Sequence, residues 1–263
     1  MKNISIGHRL KFDNINPEDL ETFILNYIKL YNRYEIKVTK ELLSSGKVEL
    51  LLNISEKIAK GKYSLHVFKD VLNNPDSYDM LQELIKVLSK FDTSNEIFLI
   101  THIPQKNILS YLSKIFDISK ILPRNYILLL ENIVCENKNE GYLKQINTLC
   151  CILKANNINN VAICLDIGHL LFGFNKENIS EGKAISLLEE MPYILSKITE
   201  IHIHDYCEKD HMKLKEGTMN LESVSNFIKN NGLNVPIILE VNVNEFSVDG
   251  IAQIAIIKKL CKS

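Results

Sequence analysis

Residues 201 to 211, IHIHDYCEKDH, place three histidines and two aspartates within eleven positions. Neutral imidazoles and carboxylates are the side chains that bind Zn²⁺ in proteins, and Mn²⁺ accepts the same mixture with more oxygen. The segment is therefore a candidate metal site, a catalytic loop or a solvated polar turn. The choice among these depends on whether the rest of the chain supplies further ligands.

Further ligand-type residues stand at the ends of short apolar runs, 29 to 38 residues apart along the chain. They are His66, His102, Glu131, Asp166, His202 and Glu240. In a parallel barrel the carboxyl ends of all strands lie at one rim, so these side chains would converge there. Two carboxylates buried together without a cation would repel each other and take up protons, a cost that a divalent ion removes. The pattern predicts a one-ion cage of Glu131, Asp166, His202 and Glu240.

Two more ions are compatible with the remaining histidines. His66 and His102 lie on the strands adjacent to Glu131 and would hold a second ion, with Glu131 bridging. His169 follows Asp166 by three residues, and with His211 it would hold a third ion. The sequence therefore predicts one ion, Mn²⁺ or Zn²⁺, and leaves two or three ions open.

Structural roles are the alternative for individual members of this set. His8 follows the first predicted strand and can be an ordinary histidine of the rim. His204 alternates with Ile203, so it shares a face with His202 and is predicted to contact the substrate. For Glu131 and Glu240 the alternative is a salt bridge inside the barrel.

Cationic and aromatic loop residues supply candidates for substrate binding. Arg9 and Lys106 come just after predicted strand ends and are candidates for binding a phosphate. Lys11 and Arg124 also lie on predicted loops, where a solvated charge is the usual state. Tyr206 follows HIHD and is predicted to line the pocket, with a packed loop aromatic as the alternative.

Eight β-rich runs must position these residues: 3–7, 33–39, 63–68, 96–102, 126–132, 161–166, 198–204 and 236–241. Segments with helical periodicity alternate with them, which indicates parallel strands joined by right-handed crossovers. Eight units in a chain of 263 residues predict a (β/α)8 TIM barrel, an α/β fold in which residues 1–263 form a single domain. A doubly wound open sheet is disfavoured, because NISIG is followed by HRLKF and not by a glycine-rich phosphate turn.

The composition excludes some classes of protein. The net charge is −1, so there is no overall positive field to attract nucleic acid or anionic membranes, although a local basic groove stays open. The N-terminus has no apolar signal-peptide region and the apolar runs are too short to cross a membrane. Six cysteines without a CxxC pair indicate reduced thiols. We therefore expect a cytoplasmic protein, with apolar residues on the outer helices that would allow a homodimer.

Five segments in order resemble the xylose isomerase-like barrels, a superfamily of sugar isomerases, sugar epimerases and DNA repair enzymes of the endonuclease IV type. They are LLLEN with Glu131, CLDIGH with Asp166 and His169, IHIHD with His202, DHMKLKEG with His211, and ILEV with Glu240. The likeness covers strands three to eight. It is specific for the superfamily and does not select one reaction.

The sugar isomerase and epimerase branch implies one metal ion held by Glu131, Asp166, His202 and Glu240. The metal would bind vicinal oxygens of the sugar and stabilise an enediolate. Glu131 and Glu240 would act as general base and acid, and His169 would orient the substrate.

The endonuclease IV branch implies up to three zinc ions that bind a phosphodiester, as in abasic DNA. His66, His102, His169 and His211 match positions that this branch uses. Two departures count against it: the family has an aspartate two residues before the last histidine, where this chain has Lys209, with Asp210 displaced by one position. The segment after His66, VFKDVLNNPD, also lacks the tyrosine and the Asn-Leu pattern that this branch has there. We therefore favour a small sugar or sugar phosphate as substrate, and a non-catalytic metal-binding barrel is a third hypothesis.

Overall fold

The computed structural model describes residues 4–12, 15–67, 70–91, 93–135, 138–241, 244 and 246–262. Eight parallel strands pair in chain order and close into a barrel, because β1 also pairs with β8. They are β1 (Ile6–Leu10), β2 (Tyr34–Lys37), β3 (Tyr63–His66), β4 (Ile97–His102), β5 (Tyr126–Glu131), β6 (Val161–Asp166), β7 (Ile198–Ile203) and β8 (Ile237–Leu239). The prediction of a TIM barrel is confirmed.

Helices connect the strands: α1 (Pro17–Leu30), α2 (Lys40–Ser44), α3 (Lys47–Ala59), α4 (Pro75–Leu88), α5 (Leu112–Ile121), α6 (Asn139–Ala155), α7 (Ile167–Lys176), α8 (Glu181–Glu189), α9 (Pro192–Leu195), α10 (Leu221–Asn230) and α11 (Val248–Lys262). Short polar side chains begin several of them, as expected for helix N-caps. Asn74 accepts a hydrogen bond from the Ser77 N–H at the start of α4, and Asn220 accepts from two N–H groups of α10. None of the described helices has the length and apolarity that crossing a bilayer requires.

The inward face of the barrel changes from apolar to polar along β4 and β5. Because side chains alternate in a strand, every second residue shares a face. Phe98, Ile100 and Leu129 belong to a small apolar cluster separate from the main core. Two residues after Ile100 and Leu129 come His102 and Glu131, which pair in register between β4 and β5. In these two strands the polar residues thus lie at the carboxyl ends, directly above apolar residues.

The first strand lies further along the chain than the sequence predicts. The predicted run is 3–7, whereas β1 spans Ile6–Leu10, and residue 3 lies outside the described residues, as does residue 68 of the third predicted strand. His8 pairs with Leu239 of β8, and Arg9 pairs with Glu35 of β2. The prediction that His8 and Arg9 follow the strand is therefore wrong. Barrel closure requires β1 to pair on both sides, and this pairing extends the strand beyond the end of the apolar run.

Candidate metal centre

The four residues of the predicted cage lie close together at the carboxyl ends of their strands. One ligand atom each from Glu131, Asp166, His202 and Glu240 lies within 4.8 Å of the other three, and all four side chains are buried. The Nδ1 atom of His202 lies 3.0 Å from Glu131 Oε1 and 2.7 Å from Glu240 Oε1. The carboxyl end of each strand thus contributes one ligand to a common point, as the spacing along the sequence predicts.

The surroundings of the cage fit a divalent cation. Asp166 Oδ2 is buried and accepts no hydrogen bond from any described residue. In the described part of the chain, five buried acids face two arginines in and beneath the cage: Glu35, Glu131, Asp166, Glu200 and Glu240 against the half-buried Arg9 and the buried Arg33. Buried carboxylates without enough positive charge are destabilising unless a metal ion or protons compensate them. The donor set of oxygens and one imidazole nitrogen suits Mn²⁺ or Zn²⁺.

A second group lies against the outer oxygen of Glu131. Glu131 Oε2 lies 2.7 Å from His66 Nε2 and 3.2 Å from His102 Nε2, and the three residues meet the same 4.8 Å criterion. The Nδ1 atom of His66 lies 3.1 Å from the Val67 carbonyl oxygen, to which it donates in one tautomer, leaving Nε2 free to bind a cation. Burial lowers the pKa of His66 to about 4, so its imidazole is neutral at pH 7.

A third group contains His169, His204 and His211, whose ligand atoms also lie within 4.8 Å of one another. His204, which the sequence predicts as a substrate contact, therefore lies among the histidines. Asp210 also reaches this group, with Oδ2 at 3.6 Å from His169 Nδ1. The displaced aspartate of the sequence is thus placed next to a histidine of the group.

Asp166 and its neighbours are held by the start of α7. The Asp166 carboxylate caps this helix by accepting the His169 N–H at 2.7 Å, which places His169 in the first turn. The side chain of Asn132, directly after β5, accepts from the Asp166 N–H at 2.9 Å and donates to the Asp166 carbonyl at 2.8 Å. These bonds fix β5, β6 and α7 relative to one another. Asn132 was not among the predicted site residues.

The loop after β7 is organised around one buried carboxylate. Asp205 accepts hydrogen bonds of 2.8 to 3.1 Å from the backbone N–H groups of Tyr206, Lys215, Gly217 and Met219. A Cβ atom at position 217 would lie 2.3 Å from Asp205 Oδ1, so glycine is required there. The loop returns His211 to the barrel mouth, where His211 Nδ1 lies 3.0 Å from the Glu240 carbonyl oxygen.

Two acidic residues of the barrel interior were missed by the sequence analysis. Glu35 in β2 is fully buried, with Oε2 at 2.9 Å from His202 Nε2 and Oε1 at 2.6 Å from Arg9 Nε. Burial opposes ionisation of Glu35, but the charges of His202 and Arg9 outweigh it and lower its pKa to about 2. Glu200 in β7 accepts from Arg33 at 3.0 Å and from Ser64 at 3.1 Å. A charged residue inside the apolar runs RYEIKVT and ITEIHIH was the available signal.

Arg9 and His202 complete the electrostatics of the cage. Arg9 is paired with Glu35 and Glu240, so it lies at the cage and not on an open loop. Burial opposes protonation of His202, yet Cys164, Glu35 and Glu131 raise its pKa well above the ordinary value. Burial likewise opposes ionisation of Glu131, but the facing histidine nitrogens hold its pKa well below the ordinary value. Both shifts reflect the attraction between the Glu131 carboxylate and the histidine nitrogens that face it.

The other predicted substrate contacts lie outside the histidine–carboxylate set. Lys106 lines a cavity of about 360 Å³ together with His102, at one edge of the mouth. Tyr206 is buried, packs against Phe172, and places its hydroxyl 3.4 Å from Glu181 Oε2. The roles of Lys106 and Tyr206 in substrate binding stay predictions.

Comparisons with known proteins agree with this architecture. Three solved structures share the fold: AsfvAP:AG (TM-score 0.70, 15% identity, 98% of this chain and 99% of that chain covered), 3-keto-D-glucoside 4-epimerase YcjR from E. coli (0.67, 11%, 99% and 100%) and D-allulose 3-epimerase from Methylomonas sp. (0.66, 14%, 99% and 99%). No curated protein matches the sequence significantly. A family model for the xylose isomerase-like TIM barrel matches residues 105–259, more than half of the chain. The chain therefore belongs to the xylose isomerase-like TIM barrel family.

Proposed function

We propose that the protein is a divalent-metal-dependent enzyme that isomerises or epimerises a small sugar or sugar phosphate. The observation that carries the proposal is the position of two buried glutamates on one imidazole nitrogen. Glu131 and Glu240 lie 3.0 and 2.7 Å from His202 Nδ1, at the ends of strands that enter the mouth from different sides of β7. Two carboxylates around one ion are the arrangement needed to remove a proton from carbon and return it elsewhere.

In this proposal the residues of the cage bind the metal ion and transfer the proton. Glu131, Asp166, His202 and Glu240 hold the ion, which when bound would polarise vicinal substrate oxygens and stabilise the negative charge that develops on them. Glu131 accepts the proton as general base. Glu240 contacts Arg9 and acts as the second proton carrier. His169, on the first turn of α7, orients the substrate.

The fold comparisons support the substrate class. Two of the structures that share the barrel are named as epimerases, one acting on a 3-keto-D-glucoside and one on D-allulose. Their identities to this chain are 11% and 14%, so they support a sugar substrate in general and select no particular sugar. Cytoplasmic location and pairing of two barrels stay predictions from the sequence.

Isotope exchange tests the proposal. The protein loaded with Mn²⁺ is incubated in heavy water with ketohexoses, ketopentoses and their phosphates, and products are analysed by NMR and mass spectrometry. We expect deuterium at one exchanging carbon, lost in Glu131→Gln and Glu240→Gln and retained in Glu49→Gln, an exposed glutamate paired with Lys90. Absence of exchange with every sugar, in protein shown to contain metal, would contradict the proposal.

A second candidate, a zinc phosphodiesterase, is favoured by the histidine groups outside the cage. Several cations side by side suit phosphoryl transfer, because they offset charge on the attacking and leaving oxygens. His66 and His102 on one side and His169 and His211 on the other supply such positions. Incubation of the zinc-loaded protein with a duplex containing an abasic site distinguishes the two functions. Catalytic cleavage that disappears in Glu240→Gln would favour the phosphodiesterase.

A further inference from the structure

We propose that the protein binds the phosphate group of its substrate in a lysine-lined cavity beside the barrel mouth, so that the substrate is a phosphorylated sugar. The cavity, here called the phosphate cavity, has a volume of about 430 Å³ and is lined by residues of the loops after β4 and β5 and of the start of α6. The inference rests on the proposed function and deepens it, because it names the group that distinguishes the substrate from a free sugar.

The phosphate cavity is connected to the metal centre through the loop after β4. His102 Nε2 lies 3.2 Å from Glu131 Oε2, and His102 also lines the cavity of about 360 Å³ at the edge of the mouth. Gln105 and Lys106 line both this first cavity and the phosphate cavity, so the two cavities adjoin. A substrate bound at the cage can therefore extend past His102 and place its far end between the loops after β4 and β5.

The two cavities differ in the charge of their linings. The first contains Asp70, Asn73 and Tyr111, whose side chains supply both acceptors and donors for sugar hydroxyls. The phosphate cavity contains Lys106 and Lys138, and none of its described lining residues is acidic. A phosphate monoester carries about −1.5 to −2 charges at pH 7, which two ammonium groups attract and a carboxylate would repel. The phosphate of a sugar phosphate therefore fits the second cavity, and its carbon chain fits the first.

The two lysines of the phosphate cavity are available for an anion. Both are exposed, and within the described part of the chain neither forms an ion pair. The acids nearest in sequence are bound elsewhere. Glu140 pairs with Lys144 at 2.6 Å, and Glu177 accepts hydrogen bonds of 2.9 Å from the backbone and side chain of Asn139. The positive charge of the cavity is thus not cancelled by these two carboxylates.

Hydrogen bonds fix the amide side chains around the cavity. Gln145 Oε1 accepts the Ile108 N–H at 3.2 Å, which leaves Gln145 Nε2 as the group that can donate to a phosphate oxygen. Gln105 Nε2 donates to the Val134 carbonyl at 2.8 Å and so ties the loop after β4 to the segment after β5. Because these bonds hold two walls of the cavity in place, less conformational entropy is lost when a ligand binds.

Other positions for a phosphate are already used by the protein itself. Arg9, the second cation that the sequence suggests for this role, pairs with Glu35 and Glu240 in the cage. TIM barrels often bind phosphate at the loops after strands seven and eight. Here the Asp205 carboxylate takes four backbone N–H groups of the loop after β7, which cannot then bind a phosphate. The lysines after β4 and β5 supply the positive charge instead.

Binding measurements on the metal-loaded protein test the inference. Inorganic phosphate, fructose 6-phosphate and fructose are titrated by calorimetry into wild type, Lys106→Met, Lys138→Met and the double variant. Lys120→Met is the matched control, because Lys120 is an exposed lysine of α5 that pairs with Asp117. We expect each single variant to bind the two phosphates about tenfold more weakly, at the lower end for a charged hydrogen bond, and the double variant about a hundredfold. The control should match wild type, and fructose should bind wild type and double variant equally.

Two results would overturn the inference. One is equal phosphate affinity in wild type and the double variant, which would indicate that the cage ion alone holds the phosphate. The other is no binding of either phosphate by wild type at millimolar concentration. Circular dichroism checks that the variants are folded, which we expect because both lysines are exposed.

Two further comparisons separate this inference from the alternatives. A dinucleotide carries a phosphodiester with a single negative charge, and we expect it to bind at least about tenfold more weakly than fructose 6-phosphate; the reverse order would overturn the assignment to a sugar phosphate and favour a nucleic-acid substrate. Loss of phosphate binding in the lysine variants, without isotope exchange in any sugar, would refute the proposed function and leave the phosphate cavity intact. Exchange in free sugars alone, with an unchanged KM in the double variant, would refute this inference and leave the proposed function intact.

Discussion

Replacing Glu35 by glutamine is expected to lower the metal affinity of the cage, although Glu35 is not one of its four predicted ligands. Glu35 Oε2 lies 2.9 Å from His202 Nε2, while His202 Nδ1 faces Glu131 and Glu240. A carboxylate behind the imidazole keeps the proton on Nε2, directs the Nδ1 lone pair into the cage and increases its basicity. The amide introduced by Glu35→Gln would have nearly the same shape but no charge to perform this role.

The size of the effect follows from the burial of both groups. Glu35 and His202 are fully buried, so water cannot replace the lost carboxylate. Removing a partner of this kind usually reduces metal affinity about 10- to 100-fold. At 25 °C this corresponds to about 1.4 to 2.8 kcal/mol of binding free energy. Arg9 would also lose its partner at 2.6 Å and would pair more fully with Glu240, which acts in the same direction.

Calorimetric titration with Mn²⁺ measures the change in dissociation constant. Glu200→Gln is the matched control, because Glu200 lies further from His202 Nε2, at 3.5 Å, and is already bound by Arg33 and Ser64. We expect less than about a fivefold loss of affinity in the control, below the usual effect of a direct partner. An affinity of Glu35→Gln within about twofold of wild type, in folded protein, would refute the reasoning, since the direct-partner effect is much larger.

Three other predictions concern stability. Asp205→Asn should lower the free energy of unfolding by about 3 kcal/mol, because four backbone N–H groups lose a charged acceptor; an unchanged urea midpoint would contradict this. Burial lowers the pKa of His8 to about 4 from 6.5, so the unfolded chain binds more protons between these values. Stability that is present above pH 6.5 should therefore fall by up to about 3 kcal/mol as pH drops to 4, and the fall should be smaller in His8→Phe; equal slopes of unfolding free energy against pH would count against it. Removing metal with a chelator should lower the melting temperature reversibly, because an ion at 100 times its dissociation constant contributes about 2.7 kcal/mol; a melting temperature insensitive to chelator and to added Zn²⁺ would argue for a non-catalytic barrel without resident metal.

The ends of four strands could be predicted from the local sequence pattern. His66, His102, Glu131 and Asp166 are the last residues of four strands, as predicted. These boundaries were predictable because an apolar strand that ends in a polar residue marks the transition from core to rim. The convergence of the side chains also followed, because parallel strands in a barrel have one common carboxyl end.

The contacts of four other residues could not be predicted from the local sequence pattern. Arg9 was expected on a loop as a phosphate ligand, yet it lies in β1 and pairs with Glu35. Glu35 and Glu200 were passed over because a charge inside an apolar run has no interpretation until its partners are known. His204 was expected to contact the substrate, and only the approach of α7 and of the Asp205 loop places it with His169 and His211.

The sequence by itself determined the eight-fold alternation, the ends of β3, β4, β5 and β6 and the residue types gathered at the mouth, since these depend on the periodicity of side chains along single elements. Tertiary structure alone decided which carboxylates lie behind His202, that Arg9 neutralises part of the cage, and that His204 lies with His169 and His211. Such pairings depend on register between strands and on loop closure over distances of tens to hundreds of residues. A local sequence pattern cannot predict these pairings, because each depends on how two distant segments pack against each other.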